Sequence, residues 1–169
     1  MLSDLQCSEL KDFCVKVSSP NFRMRVTEYI GNNMYIVGSV KIAGNHVNFD
    51  RLRINSLLFE SSPRNEITKK DSSFIKYEFE GNVHHGIINK FMKVVNCENV
   101  EYFALVQNLH CSVAFQTTHS NLDLFTTFTC NVTDVIHQIP VTDIKSLCVN
   151  VKVENKSYVI DFINSHYFQ

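Results

Sequence analysis

The stretch VNVKVENKSYVIDF, residues 149–162, carries the clearest structural signal in the chain. Val149, Val151 and Val153 alternate with polar residues, which is the pattern of a strand with one apolar face. Glu154-Asn155-Lys156 is typical of a tight turn, and the chain then returns through apolar residues at every second position from Tyr158 to Phe162. The stretch therefore predicts an antiparallel hairpin.

Strand patterns of the same kind recur along most of the chain. Gly31-Asn32-Asn33 predicts a hairpin turn between two of them, and Gly38 indicates a bulge or a close backbone approach within the second. Together with the hairpin at 149–162, the predicted strands cover residues 22–27, 34–42, 51–59, 74–80, 102–107, 112–117 and 124–129.

Helix signals are few. Apolar residues at 87, 88, 91, 92 and 95 fit one face of a helix over about 86–96. Leu2, Leu5 and Leu10 follow a spacing that allows a short N-terminal helix, and Pro140 breaks the stretch 133–147 into turn-like pieces. The most polar stretch, 61–73, predicts a long surface loop.

About nine short strands with one or two short flanking helices predict an all-β fold, mostly antiparallel, in the form of a barrel or sandwich. Strands do not alternate with helices, which argues against a parallel α/β fold. The 60 residues before the polar loop would bury too little apolar area to fold alone, so residues 1–169 are expected to form a single domain.

Composition excludes several classes of protein. Hydrophobic residues make up 44% of the chain, too many for a disordered protein, and 16 basic residues against 17 acidic ones argue against a globally basic nucleic-acid coat. The N-terminus lacks the features of a secretory signal. Residues 102–122 lack charge but carry Gln, Asn and His side chains, which favours buried strands over a membrane span.

The six cysteines, at 7, 14, 97, 111, 130 and 148, are widely spaced. Without an export signal they are expected to be reduced thiols that act as small buried hydrophobes. The expected location is the cytoplasm or nucleus, without secretion by a signal peptide and without a membrane anchor.

Common catalytic and phosphate-binding motifs are absent from this chain, which has only 5 glycines. There is no phosphate loop, no nucleophile elbow and no Cys-x-x-Cys or His-Glu-x-x-His pair for zinc. Two histidines and two cysteines lie on or beside predicted neighbouring strands: His110, Cys111, His119 and Cys130. A metal ion bound by all of them is not expected, because adjacent residues such as His110 and Cys111 face opposite sides of a strand. The pair His84-His85 is expected to be exposed at a turn. The sequence thus predicts no catalytic residues, no metal and no cofactor.

The arginines form the one asymmetric feature of charge. All five lie in the first 64 residues, and Arg23/Arg25 and Arg51/Arg53 each project from one strand face because they are two residues apart. If the strands are neighbours, these four guanidinium groups could bind an anion or an acidic partner. The alternative is a solvated face neutralised by nearby acids such as Glu60.

Three segments carry a resemblance to a known family: residues 12–17 (DFCVKV), 35–40 (YIVGSV) and 51–59 (RLRINSLLF). They resemble the telokin-like protein of nucleopolyhedroviruses, and the Asn-rich, Trp-free, Gly-poor composition also suits a large DNA virus of insects. The resemblance covers about residues 12–60. It implies a β-clip type of barrel with short flanking helices, and it implies no catalytic residues.

The dUTP pyrophosphatases share that general fold, but their Ala-Gly-Tyr-Asp and Arg-Gly motifs are missing here. Three functions therefore stay open. The first is a non-enzymatic viral accessory protein that binds a protein partner or self-associates. The second is a divergent nucleotide-binding or dUTPase-like hydrolase. The third is a single-stranded nucleic-acid binder that uses the arginines and the aromatic residues Phe22, Tyr29, Tyr35 and Phe49.

Overall fold

A computed structural model describes residues 26–43, 46–62, 72–96, 99–119, 122–154 and 156–161. These residues form ten strands and one 3-10 turn, η1 (Val141–Asp143). The strands are β1 (Val26–Gly31), β2 (Met34–Ala43), β3 (His46–Ile54), β4 (Leu57–Glu60), β5 (Phe74–Phe79), β6 (Asn82–Val95), β7 (Val100–His119), β8 (Leu122–Pro140), β9 (Ile144–Val153) and β10 (Lys156–Asp161). All ten belong to one antiparallel sheet, which confirms the predicted fold class.

Six of the strands close into a barrel-like ring. The pairings run β5–β6–β7–β8–β10–β9 and return from β9 to β5. Closure satisfies the hydrogen-bonding groups on both edges of a strand wherever its two neighbours extend alongside it. Strands β6 and β10 are three steps apart in either direction around this ring.

The first four strands extend the sheet beyond the ring. Strand β3 pairs with β6 through His46–Phe49, and it also pairs with β2 and β4. Their apolar residues, including Ile36, Phe49 and Phe59, pack on Ile88 and Phe91 of β6 in the larger hydrophobic core. This extension therefore covers one face of the ring strands.

A second, smaller core lies on the other face of β5. Phe74 packs there with Leu109, Cys130, Cys148 and Val159, whereas the adjacent Ile75 and Tyr77 belong to the larger core. Adjacent residues of a strand point to opposite faces, so β5 is buried on both sides.

Both predicted hairpins are confirmed. Asn32 and Asn33 take positive φ angles of 48° and 56° between β1 and β2, as a tight hairpin turn requires. Strands β9 and β10 pair from Val153 and Lys156 outward to Cys148 and Asp161. Gly38 lies at a register shift between β2 and β3 and has a φ of 107°, which confirms the predicted bulge.

The predicted helix at 86–96 is wrong, because those residues belong to β6. Ile88 and Phe91 are both buried although they are three residues apart. A register shift between Ile88 and Lys90 inserts Asn89 as an extra residue, which returns Phe91 to the face of Ile88. A bulged strand thus imitates the spacing of a helix.

The central strands are longer than predicted. The segments 102–107 and 112–117 are parts of the single strand β7, and β8 continues to Pro140 before η1 turns the chain into β9. Residues 1–25, which include the predicted N-terminal helix and the start of the first predicted strand, lie outside the described residues, as do positions 63–71 of the predicted polar loop. Within the described part of the chain, no helix has the length and apolar character needed to cross a membrane.

Candidate functional site

Three polar side chains meet around Asp161, at the end of β10. His85 Nε2 lies 2.6 Å from Asp161 Oδ1, and Lys76 Nζ lies 2.8 Å from Oδ2. The Cys148 thiol donates to Oδ1 at 3.6 Å. We call Lys76, His85, Cys148 and Asp161 the interior cluster.

The ring places this cluster. In the strand register Lys76 is opposite His85, and Cys148 is opposite Asp161. His85 on β6 and Asp161 on β10 are three strands apart around the ring, so the contact between them spans its interior, while Lys76 and Cys148 come from β5 and β9, the two adjacent strands that lie between them on one side. The Phe128 ring lies against His85 with centroids 4.5 Å apart, which supplies an apolar wall.

Burial in the interior cluster is graded. His85 is 8% exposed and Cys148 2%, whereas Lys76 and Asp161 are partly accessible. The expectation that His85 is exposed at a turn is therefore wrong. The reason is that β6 begins at Asn82, so His85 already lies within the sheet and faces the ring interior.

Electrostatics fix the charge states of two members. Burial by itself raises the pKa of Asp161, but hydrogen bonds from His85 and Lys76 outweigh it, and the pKa is lowered. Burial first, and then the negative charge of Asp161, raise the pKa of Cys148. Cys148 is therefore a neutral thiol at neutral pH and a poor nucleophile.

The interior cluster also has the composition of a metal-ligand set. The side-chain ligand atoms of His85, Cys148 and Asp161 all lie within 4.8 Å of one another. Imidazole nitrogen, thiolate sulfur and carboxylate oxygen are the ligands that zinc takes in proteins. The sequence analysis predicted no metal site, because the three residues come from three strands and share no local spacing.

Of the predicted arginine patch, only one half is described. Arg51 and Arg53 lie on β3, and Arg51 Nε binds Glu60 Oε1 of β4 at 2.7 Å. Arg23 and Arg25 lie outside the described residues, so the patch as a whole stays a prediction. Phe49, one of the predicted stacking residues, is buried in the larger core and cannot stack on a nucleic-acid base.

The expectation of reduced thiols is wrong for one pair of cysteines. Cys111 of β7 and Cys130 of β8 form a disulfide, with Cα atoms 4.2 Å apart. The two residues are direct partners in the β7–β8 register, which brings the sulfurs together. Cys148 remains a buried free thiol, as expected.

A second candidate site is the open edge of β9. The β5–β9 ladder extends only to Ile75 and Leu147, and among the described residues no strand pairs with this edge of Val149–Val153. The carbonyls of Ser72 and Ser73, just before β5, accept hydrogen bonds from Glu60 and Ile88 instead. Those bonds direct Ser72 and Ser73 toward β4 and β6, so within the described part of the chain nothing covers this edge of β9.

The same segment exposes apolar side chains. Val149, Val151 and Val153 are 41%, 39% and 52% exposed, and we call them the valine face. On β10, Ile160 and Tyr158 are the register partners of Val149 and Val151. The valine face is therefore an apolar strip beside a strand edge that is unpaired among the described residues, and proteins use these two features for β-strand addition.

Comparison of the chain with protein-family models, with curated proteins and with solved structures finds no match.

Proposed function

We propose that the protein is a non-enzymatic interaction module that pairs with a second copy of itself through the open edge of β9. The observation that carries the proposal is the combination of the exposed valine face on Val149–Val153 with a strand edge that no other described residue pairs. An exposed edge of β-branched residues is a template for pairing with another strand.

The segment is complementary to itself in antiparallel pairing. If two copies pair about a two-fold axis at Val151, Val149 lies opposite the partner's Val153 and Lys152 lies opposite the partner's Asn150. All six valines then share one face, and no like charges stand opposite each other. This self-complementarity favours a second copy over an unrelated strand as the occupant, because a two-fold interface brings the same patch together with itself.

The contact is small. Five residues on each side bury less surface than a stable obligate dimer needs, so a reversible dimer of micromolar or weaker affinity is expected. Such an association responds to protein concentration, and it suits an accessory protein that assembles where it accumulates.

The resemblance to the telokin-like proteins of nucleopolyhedroviruses supports an accessory role in a large insect DNA virus. It rests on the described segments 35–40 and 51–59, which lie in β2 and in β3–β4, together with residues 12–17. A host cytoplasmic or nuclear location is part of the same proposal.

Sedimentation equilibrium over a wide range of protein concentration tests the self-association. The test variant is Val151→Lys, which places two lysines opposite each other at the two-fold axis and is expected to weaken the dimer by about tenfold or more. Val132→Lys is the matched control, because Val132 is an exposed valine on β8, 61% accessible against 39% for Val151, and lies away from the open edge of β9.

The expected result is a concentration-dependent dimer for the wild type and for Val132→Lys, and a monomer for Val151→Lys. A wild type that stays monomeric at the highest concentration would overturn the proposal. So would a dimer that Val151→Lys and Val132→Lys weaken equally.

A further inference from the structure

The geometry of the interior cluster points to a Zn²⁺ site, and we propose that His85 Nε2, Cys148 Sγ and one carboxylate oxygen of Asp161 bind the ion. The proposal does not depend on self-association, because the interior cluster lies within the ring and the open edge of β9 lies outside it.

Two of the three ligand-to-ligand distances are close to those that a tetrahedral ion requires, and all three ligand atoms lie within 4.8 Å of one another. Cys148 Sγ and Asp161 Oδ1 are 3.6 Å apart, which is about the separation of two ligands that bind one zinc ion at about 2.3 Å and about 2.0 Å. His85 Nε2 and Asp161 Oδ1 are closer, at 2.6 Å, because a hydrogen bond joins them. Replacing this hydrogen bond by two bonds to zinc requires these two atoms to separate by less than about 1 Å.

Proton balance on binding is simple. The Cys148 thiol loses its proton to solvent and its sulfur forms a bond to zinc. The Nε2 proton that His85 donates to the Asp161 carboxylate must also leave Nε2 to solvent, and the ring then binds the ion through Nε2 with its remaining or regained proton on Nδ1. Asp161 binds as the carboxylate that it already is. Three protein ligands leave a fourth tetrahedral position for water or an external ligand, as in zinc sites that keep an open position.

Lys76 competes with the metal. Its ammonium group binds Asp161 Oδ2 and would repel a nearby divalent cation. The Lys76 side chain is 34% exposed, so it has a route to move into solvent when the ion binds. Removing the Lys76 charge is therefore expected to tighten metal binding. If the interior cluster had only a hydrogen-bonding role, the same change would instead lower the stability of the fold.

Titration of metal-free protein with Co²⁺, a spectroscopic substitute for Zn²⁺, tests the site. Ligation by Cys148 produces a thiolate-to-cobalt charge-transfer band, and tetrahedral geometry produces intense visible bands. Competition with Zn²⁺ then gives the affinity for zinc. The variants are Cys148→Ser, Lys76→Met and, as a matched control, His137→Gln, which changes a histidine outside the interior cluster.

The wild type is expected to bind one equivalent of Co²⁺ and to lose the band when Zn²⁺ is added. Cys148→Ser should lack the charge-transfer band and bind at least about tenfold more weakly. Lys76→Met should bind several-fold more tightly, and His137→Gln should match the wild type. Circular dichroism verifies that each variant is folded, and Lys76→Met tests the site even if Cys148→Ser fails to fold. No band in folded wild type or Lys76→Met at large metal excess, or a band unchanged in Cys148→Ser, would overturn the proposal.

Discussion

His137, near the end of β8, shows how a single residue depends on its neighbours. Its ring stacks on Phe79 with centroids 4.0 Å apart, and its Nδ1 lies 2.8 Å from the Tyr77 hydroxyl. Burial and the nearby His84 lower the pKa of His137, and Glu80 only partly opposes them. The folded protein therefore favours the neutral imidazole.

This shift predicts a loss of stability on mild acidification. A pKa that is lower in the folded than in the unfolded chain means that the unfolded state binds the proton first as the pH falls below the ordinary histidine value of 6.5. The free energy of unfolding should therefore decrease from about pH 7.5 to about pH 5.5. Urea unfolding of wild type and His137→Gln at both pH values measures the difference.

His137→Gln should remove part of that pH dependence. His110→Gln is the control, because it removes a histidine that is exposed on β7. Equal pH dependence in the wild type and both variants would contradict the assignment to His137.

Residues of the interior cluster show what the sequence could not predict. His85 and Asp161 are 76 residues apart and occupy strands that meet only because the ring closes. A pattern within one strand indicates that a residue faces inward, but it does not indicate which strand lies opposite. The disulfide is not predictable for a related reason: it requires the β7–β8 register, which shifts between Thr117 and Thr118 and again between Val113 and Phe115, on the way from the turn to Cys111.

At the scale of the elements, the sequence alone predicts a hairpin where the turn residues themselves favour the backbone conformation of the turn. Asn32 and Asn33 tolerate positive φ, and the hairpin around Glu154 also has a residue at positive φ. Strand β6 was misassigned because its bulge at Asn89 adds one residue to a period of two. Bulges are fixed by the neighbouring strand, so they are not visible in the pattern of one strand alone.

The β7–β8 hairpin yields a prediction about its disulfide. Cys111 and Cys130 are separated by 19 residues, and a covalent link of that span is expected to stabilise the fold by roughly 3 kcal/mol because it restricts the unfolded chain. The double variant Cys111→Ala/Cys130→Ala should lose about that much in urea unfolding.

Reduction supplies the control for the disulfide. A reductant should lower the stability of the wild type toward that of the double variant and leave the double variant unchanged. A wild type that responds no more than the double variant does would show that the bond does not form in solution.

At the scale of the whole molecule, the two cores share strands. Strand β5 contributes Phe74 to the smaller core and Ile75 and Tyr77 to the larger one. Because loss of either core exposes the other face of the same strand, both are expected to unfold together as one cooperative unit.

Two phenylalanine variants test this coupling. Phe74→Ala in the smaller core and Phe91→Ala in the larger core should each destabilise the protein by about 3–5 kcal/mol. Each variant should still unfold in a single transition, with its midpoint shifted toward milder conditions. Circular dichroism and tyrosine fluorescence should report the same midpoint. Leu58→Ala, at an exposed apolar position on β4, should change stability much less. Two separated transitions in either core variant would contradict the expectation of a single domain.

The central claim is that the open edge of β9 pairs with a second copy, and hydrogen exchange of the backbone amides in Val149–Val153 tests it most directly. The measurement is made at protein concentrations well below and well above the dissociation constant obtained by sedimentation. The account predicts that exchange in this segment slows markedly as concentration rises, while exchange in β6, whose edges are paired within the chain, does not change. Exchange at Val149–Val153 that is independent of concentration, in protein that nevertheless dimerises, would contradict it.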